Sequence, residues 1–300
     1  MPAGPATAPH PWRSLLTTAR PRQWAKNLLV FAAPATGRVL LEPGIAIRVT
    51  VVFAAFCLLA SGIYFVNDVI DRHEDAAHPR KRSRPVAAGL IAPPTAIVVG
   101  GISLVAGCAL ALWAGGADTL AVAGGYVVLS LAYALVLRRI VLLDMAAIAA
   151  GFLLRAVAGG AAADVHLSSW FLIVATFGSL FVAAGKRHAE FLRVEGAEER
   201  DARSRSTLAA YSESYLRFVQ YSSSTACITA YCLWAFEGAV IDTLWSGLSI
   251  APFVLGVFRY ALLVDGGRGE TPEDVVLRDG ALLGFGVSWA AVLGIGLLVS

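Results

Sequence analysis

From position 67 the chain reads Asn67-Asp68-Val69-Ile70-Asp71-Arg72-His73-Glu74-Asp75. An apolar run leads into this segment. If its helix continues through Asp75, a turn of 100° per residue puts Asp68, Asp71 and Asp75 within about 60° of one another, while Glu74 points elsewhere. Three carboxylates on one stripe repel one another unless a cation sits among them. Mg²⁺ takes oxygen ligands, usually one or two carboxylates with waters and substrate phosphates. The stripe therefore predicts Mg²⁺ as the cofactor of a diphosphate site. Asp68, Asp71 and Asp75 are its expected ligands and catalytic acids, and a metal cage built from protein alone is not expected.

A few residues on comes Arg80-Lys81-Arg82-Ser83-Arg84, bracketed by Pro79 and Pro85, which end any helix. Arg forks and Lys ammonium groups bind phosphate oxygens. Acids that hold a metal, followed at once by bases that hold phosphate, suit a substrate carrying a diphosphate. Lys81, Arg82 and Arg84 are the expected phosphate contacts, with Asn67 and Arg72 flanking the acids. The competing reading is a solvated loop whose bases only set topology. His73 and His78 are read as loop residues rather than as a general base.

These residues need elements to carry them, and the composition says which. Of the 300 residues 57% are hydrophobic and only 15% charged, against roughly 25% charged in an average soluble domain. The apolar residues fall in blocks near the ~20 residues that cross a hydrocarbon core. The expected fold is all-α and polytopic, with about nine transmembrane helices, because backbone amides in lipid must bond within their own segment. The approximate spans are 24–41, 45–66, 95–114, 119–137, 141–158, 168–185, 217–236, 248–264 and 280–299, the first interrupted by Pro34. Residues 1–23 read as a disordered tail and 24–300 as one transmembrane catalytic domain. Cys57, Cys108, Cys227 and Cys232 all lie in apolar blocks and read as packing residues. With the N-terminus in the cytoplasm, nearly all Lys and Arg residues fall on the inner side, and only Arg38 and Arg48 fall outside. The active site then faces the cytoplasm across the plasma membrane.

Asn67-Asp68-x-x-Asp71-x-x-x-Asp75 resembles the first Asp-rich motif of the UbiA superfamily of intramembrane prenyltransferases, whose nine-helix bundle is the fold the resemblance implies. Three further segments resemble one subgroup of that superfamily. They are Arg20-Pro21-Arg22-Gln23-Trp24-Ala25-Lys26-Asn27, His78-Pro79-x-Lys81-Arg82-x-Arg84-Pro85-x-Ala87-x-Gly89 and Gly151-Phe152-x-x-Arg155-Ala156-x-Ala158-Gly159-Gly160. The resemblance implies transfer of a 5-phosphoribosyl group from phosphoribosyl pyrophosphate (PRPP) to a polyprenyl (decaprenyl) phosphate, for cell-wall arabinan synthesis. The partners it implies are those two substrates and the lipid bilayer, with no nucleic acid. The oligomeric state stays open, a homo-oligomer included.

The chain departs from the wider superfamily at one place. Aromatic-acceptor members carry a second Asp-rich motif after the sixth span, where this chain reads Gly185-Lys186-Arg187-His188-Ala189-Glu190. Replacing acids by bases removes metal ligands and adds phosphate donors, which favours PRPP over a prenyl diphosphate. Lys186, Arg187 and Glu190 are accordingly expected at the substrate, with the plain positive-inside flank as the alternative. Lys26 and Asn27 start the first span and could reach the same site. Tyr133 and Arg138 are similar to a Tyr-x-x-x-Leu-Lys element of the superfamily, and Asp144 opens the next span. Arg155 lies about 16 Å further along that span, on nearly the same face. An intramembrane Arg is a functional candidate by default, and snorkelling or structural pairing is the other reading. The stretch from Phe191 to Tyr215 is expected either to close over the site and exclude water or to be a solvated connector. Two rival functions remain: a prenyltransferase using a prenyl diphosphate donor, and a transporter. A transporter would place its ionisable residues near the bilayer midplane, whereas these gather at one face.

Overall fold

A computed structural model of the chain describes residues 11–79, 81–195, 205–238, 241–269 and 272–299. Arg80, of the basic cluster, and residues 196–204, of the expected covering segment, lie outside the described residues. Every regular element among the described residues is helical. In chain order they are α1 (Pro11–Ala19), a 3₁₀ segment (Pro21–Phe31), α2 (Ala32–Thr36), α3 (Pro43–Ile70), α4 (Arg72–Ala77) and α5 (Pro93–Leu135). A short 3₁₀ turn (Leu137–Arg139) leads to α6 (Leu143–Ala163), α7 (Ser169–Glu195), α8 (Arg205–Leu208) and α9 (Glu213–Leu233). A π turn (Trp234–Gly238), α10 (Thr243–Asp265), α11 (Pro272–Arg278) and α12 (Gly280–Val299) complete the chain.

Six of these helices, α3, α5, α6, α7, α10 and α12, are long and apolar enough to cross a membrane. Their ends follow local chemistry. Pro43 and Pro93 stand in the first turns of α3 and α5, where a missing N–H leaves nothing unpaired. Ser212 and Asp242 cap α9 and α10 by accepting from the amides of Tyr215 and Leu244. The 43 residues of α5 would measure about 65 Å as one straight helix, twice the ~30 Å hydrocarbon core. Gly116, at φ 69° and ψ −161°, breaks it into two. Only glycine takes that backbone readily, and the break falls where the sequence predicts an outer turn.

Two expectations need correcting. Residues 11–19, read as tail, form α1, whose Leu15 and Ala19 pack beside Phe65 and Val86. The first span is not an α-helix through Leu41. It is a 3₁₀ segment of 11 residues followed by α2, which ends at Thr36. Runs of 3₁₀ helix beyond a few residues are uncommon, and packing accounts for this one. A Cβ on Gly159 of α6 would collide with the backbone carbonyl of Val30, so the segment lies against bare helix backbone. Val30 belongs with Val52, Phe56, Leu59, Tyr126 and Ala158 to the main core, where α3, α5, α6 and the first segment meet. Small residues at such crossings let backbones approach where lipid supplies no hydrophobic drive between helices. Among the membrane-length helices α3 is the most enclosed and α12 the least.

The Gly159 crossing is testable. Gly159→Val should destabilise by at least the roughly 1–3 kcal/mol typical of overpacking, read as a large fall in the unfolding midpoint in detergent. Gly124→Ala, where an added Cβ meets nothing within 4 Å, should leave the midpoint unchanged or slightly raised. Equal effects at the two sites would contradict the packing account.

Candidate active site

The Asp-rich segment folds as the end of one helix and the start of another. The Asp71 amide bonds the Asn67 carbonyl at 2.9 Å and the Asp75 amide bonds the Asp71 carbonyl at 2.8 Å, so the helical path is kept. At Asp71 itself the backbone leaves the helix, with φ −88° and ψ 2°. The acids divide at that joint. Asp68 and Asp75 are both buried, at 1% and 2% exposure. Arg84 lies 3.6 Å from Asp68 and 2.6 Å from Asp75. Arg20 adds a second contact to Asp68 at 2.6 Å. Asp71 instead receives two hydrogen bonds from Arg138, at 2.8 and 3.0 Å. That paired bond raises the Arg138 pKa further above its usual range.

Among the described residues no three His, Cys, Asp or Glu side chains come together as a metal site. The joint at Asp71 supplies the reason: Asp71 pairs with a different arginine from the other two acids. The donors still suit a hard cation completed by waters and phosphate. All are oxygens, and Asn67 Oδ1 adds a buried acceptor with no hydrogen-bond partner among the described residues.

A second cluster joins the end of α5 to the start of α6 and the far part of α7. Arg187 donates from Nε to Asp144 at 2.7 Å, from Nη1 to Glu190 at 2.6 Å and from Nη2 to the Tyr133 hydroxyl at 3.2 Å. Lys186 lies 3.9 Å from Glu190. Asp144 is fully buried, and its second oxygen accepts from the Tyr211 hydroxyl at 2.6 Å. Tyr133, Asp144, Lys186, Arg187 and Glu190 are therefore brought together.

Asn27 and Arg155 form a third cluster, inside the bundle. Arg155 donates to Asn27 Oδ1 at 2.7 Å, to the Gly151 carbonyl at 2.6 Å and to the Tyr126 hydroxyl at 2.8 Å. Its guanidinium lies 4.6 Å from the centroid of the Tyr126 ring, a cation–π contact. Asn27 also donates to Cys57 Sγ at 3.3 Å. Snorkelling outward is thereby ruled out for Arg155, at 8% exposure. Asn27 contacts this arginine rather than the acids. Among the described residues no carboxylate pairs with Arg155.

Of the remaining candidates, Lys26 bonds Gln23 and Arg72 bonds its neighbour His73 at 3.0 Å. Lys81 and Arg82 are exposed, and among the described residues no acid pairs with either. Two residues escape sequence reasoning as site members. Arg20 has a left-handed backbone, φ 52° and ψ 62°, and its guanidinium sits 4.6 Å from the Tyr64 ring centroid. Its place at the head of the Arg20-Pro21-Arg22-Gln23-Trp24 segment is the signal that could have marked it. Tyr211 has no such signal. A groove of about 580 Å³ between α7 and α9, lined by Trp170, Ile173, Tyr221 and Thr225 among others, holds none of these charged groups.

A model of the UbiA prenyltransferase family matches residues 28–296. The chain belongs to that family. It is a transferase and an integral membrane protein. The decaprenyl-phosphate phosphoribosyltransferase of Mycolicibacterium smegmatis is 41% identical over 293 residues, covering 93% of this chain and 91% of the relative. The Corynebacterium glutamicum protein of the same name is 40% identical over 282 residues, covering 92% of this chain and 84% of the relative. A UbiA homologue from Archaeoglobus fulgidus, bound to DMAPP and Mg²⁺, shares the fold at a TM-score of 0.72 and 16% identity. That match covers 95% of this chain and 98% of the other.

The charge pairs carry a prediction. Arg84→Ala leaves Asp75, and in part Asp68, buried without its partner. Stability should fall by roughly 1–3 kcal/mol, the penalty of an unsatisfied buried polar group. Arg84→Lys should recover part of that loss. Thermal unfolding in detergent at neutral pH reads both, and an unchanged midpoint for the Ala variant would contradict the pairing.

Proposed function

We propose that this protein transfers the 5-phosphoribosyl group of PRPP to a polyprenyl (decaprenyl) phosphate and releases pyrophosphate, for cell-wall arabinan precursor synthesis. The observation that carries the reading is the 41% identity along 93% of the chain to a relative named for that reaction. The charge distribution supports it: α7 carries Lys186 and Arg187 with a single acid, Glu190, where a second Asp-rich motif would carry several. Basic side chains suit a donor with an extra 5-phosphate and an acceptor that is itself an anion. The prenyl-diphosphate donors bound in the solved homologue belong to a protein only 16% identical, where the likeness extends to the fold.

The chain crosses the plasma membrane nine times, with its N-terminus in the cytoplasm. The crossings are the first segment with α2, then α3, the two halves of α5, α6, α7, α9, α10 and α12. The charged end of the bundle then faces the cytoplasm, as the Lys and Arg asymmetry requires.

Asp68 and Asp71 would hold Mg²⁺, with Asp75 joining directly or through water and the buried Asn67 Oδ1 accepting from a ligand water or a ribose hydroxyl. When bound, Mg²⁺ supplies neutralisation of the charge that grows on the departing pyrophosphate. Lys81, Arg82 and Arg84 hold donor phosphates from one side and Lys186 and Arg187 from the other. Arg20, Arg72 and Arg138 add cationic contacts beside the acids. Lys26 lies near the donor, while Asn27 and Arg155 hold the floor beneath the site. A lipid phosphate oxygen attacks C1 of the ribose as the bond from C1 to the pyrophosphate oxygen breaks, inverting the anomeric centre. The acceptor is already an anion near pH 7, so the chain need supply no strong base. Tyr133 and Glu190 keep Arg187 oriented while this happens.

Purified protein given PRPP, polyprenyl phosphate and Mg²⁺ should release pyrophosphate and form phosphoribosyl lipid. Absence of both products would sink this reading, and turnover of a prenyl diphosphate instead would install the rival. Asp68→Asn and Asp71→Asn should each abolish turnover while membrane insertion and expression persist. A fully active double variant would refute the metal site. Lys186→Ala should raise the KM for PRPP about ten-fold, the scale of one lost charged contact. Wild-type kinetics would reduce that lysine to a topology signal.

A further inference from the structure

Thr207 in α8 and Tyr211 just beyond it make three polar contacts back to the turn between α5 and α6 and to the first turn of α6. Thr207 donates to the carbonyl of Arg138 at 3.0 Å. The Tyr211 hydroxyl accepts from the Leu142 amide at 2.6 Å and donates to Asp144 Oδ1 at 2.6 Å. This turn carries both Arg138, which grips Asp71, and Asp144, which grips Arg187. Leu142 has φ 71° and ψ −44°, a conformation that is strained for a residue with a side chain. It delivers the Leu142 N–H to the tyrosine oxygen.

We propose that Tyr211 is a positioning residue for the transfer: its hydroxyl fixes Asp144, and Asp144 in turn holds Arg187 toward the donor's phosphate. The proposal rests on the phosphoribosyl reading above. Asp144 is fully buried, and its two oxygens have separate partners, Tyr211 on Oδ1 and Arg187 Nε on Oδ2. Removing the hydroxyl leaves Oδ1 unsatisfied in a dry site, and the carboxylate turns to spend both oxygens on Arg187. The guanidinium, held also by Glu190 and Tyr133, then leaves its aim. Burial and the bond to Asp144 push the Tyr211 phenol above its ordinary range, so it remains a donor at physiological pH. The ring itself packs with Met145, Ala183 and Leu216 and stacks on Tyr215 at 6.0 Å. Tyr211→Phe therefore keeps the packing and removes only the hydroxyl.

The test compares wild type, Tyr211→Phe, Asp144→Asn and the double variant, all full length. The readouts are KM for PRPP, KM for polyprenyl phosphate, kcat and the unfolding midpoint. Tyr211→Phe should raise KM for PRPP about ten-fold, the scale of one hydrogen bond to a charged group, with kcat and the lipid KM within about two-fold. In the Asp144→Asn background the same change should add less than about two-fold, because the two residues act through one contact. 4-Aminophenylalanine at position 211 retains a donor and should restore the KM. 4-Fluorophenylalanine fills the hydroxyl's place without its proton and replaces the Phe variant if that chain does not fold. A lowered midpoint with wild-type KM assigns Tyr211 a structural role only and overturns the proposal. So does a full effect in the Asp144→Asn background. Wild-type protein that does not turn over PRPP overturns the phosphoribosyl reading together with this inference, whereas an active wild type with unaffected variants overturns this inference alone.

Discussion

A carboxylate carried into the low-dielectric end of a helical bundle must be met by positive charge or by hydrogen-bond donors. Asp68, Asp75 and Asp144 are almost wholly buried, and their partners come from other elements of the chain. Arg20 precedes the first 3₁₀ segment, Arg84 follows α4, and Arg187 sits far along α7. Arg138, in the turn after α5, meets the less buried Asp71. The contacts that neutralise the acids are thus the contacts that close this end of the bundle. Breaking one of them touches folding and chemistry together, because truncating one partner of a buried pair leaves the other charge stranded.

The same constraint separates what can be read along the chain from what cannot. The Asp-rich run is visible because helical periodicity is local: the spacing of Asp68, Asp71 and Asp75 predicts one stripe if the helix runs on. The membrane class is visible for the same reason, as apolar blocks of spanning length. The basic residues at Lys186 and Arg187 stand out because the resemblance to the wider superfamily implies an acidic motif there. The joint at Asp71 is not visible, since it depends on Arg138 drawing that carboxylate away from its neighbours, 67 residues along the chain. The pairing of Arg20 with Asp68 and of Tyr211 with Asp144 are likewise long-range contacts with no periodic trace. The 3₁₀ form of the first segment follows from Gly159 in α6, which leaves room for the backbone of Val30 but for no side chain between.

Arg155 shows how the bundle handles a cation that pairs with no acid among the described residues. Its donors go to Asn27, the Gly151 carbonyl and the Tyr126 hydroxyl, and the Tyr126 ring supplies a π face. These neutral acceptors keep a guanidinium in the interior and tie the first segment to α5 and α6. Lys81 and Arg82, exposed beyond the Asp-rich segment, add an anion-attracting field at their own end of the charged cluster. A charge distribution of this kind suits the proposed reaction, in which both substrates arrive as phosphates and the departing group is a pyrophosphate.

The central claim is that a donor diphosphate sits between the Asp-rich end of α3 and the basic end of α7. An experimental structure of the protein with PRPP and Mn²⁺ in place of Mg²⁺ tests it most directly, because the anomalous signal of manganese locates the metal independently of the ligand. The account predicts the metal on Asp68 or Asp71, the pyrophosphate beside it and the 5-phosphate within hydrogen-bonding distance of Lys186 or Arg187. Metal or PRPP bound away from these residues, or PRPP bound with Lys186 and Arg187 both turned to solvent, would contradict it.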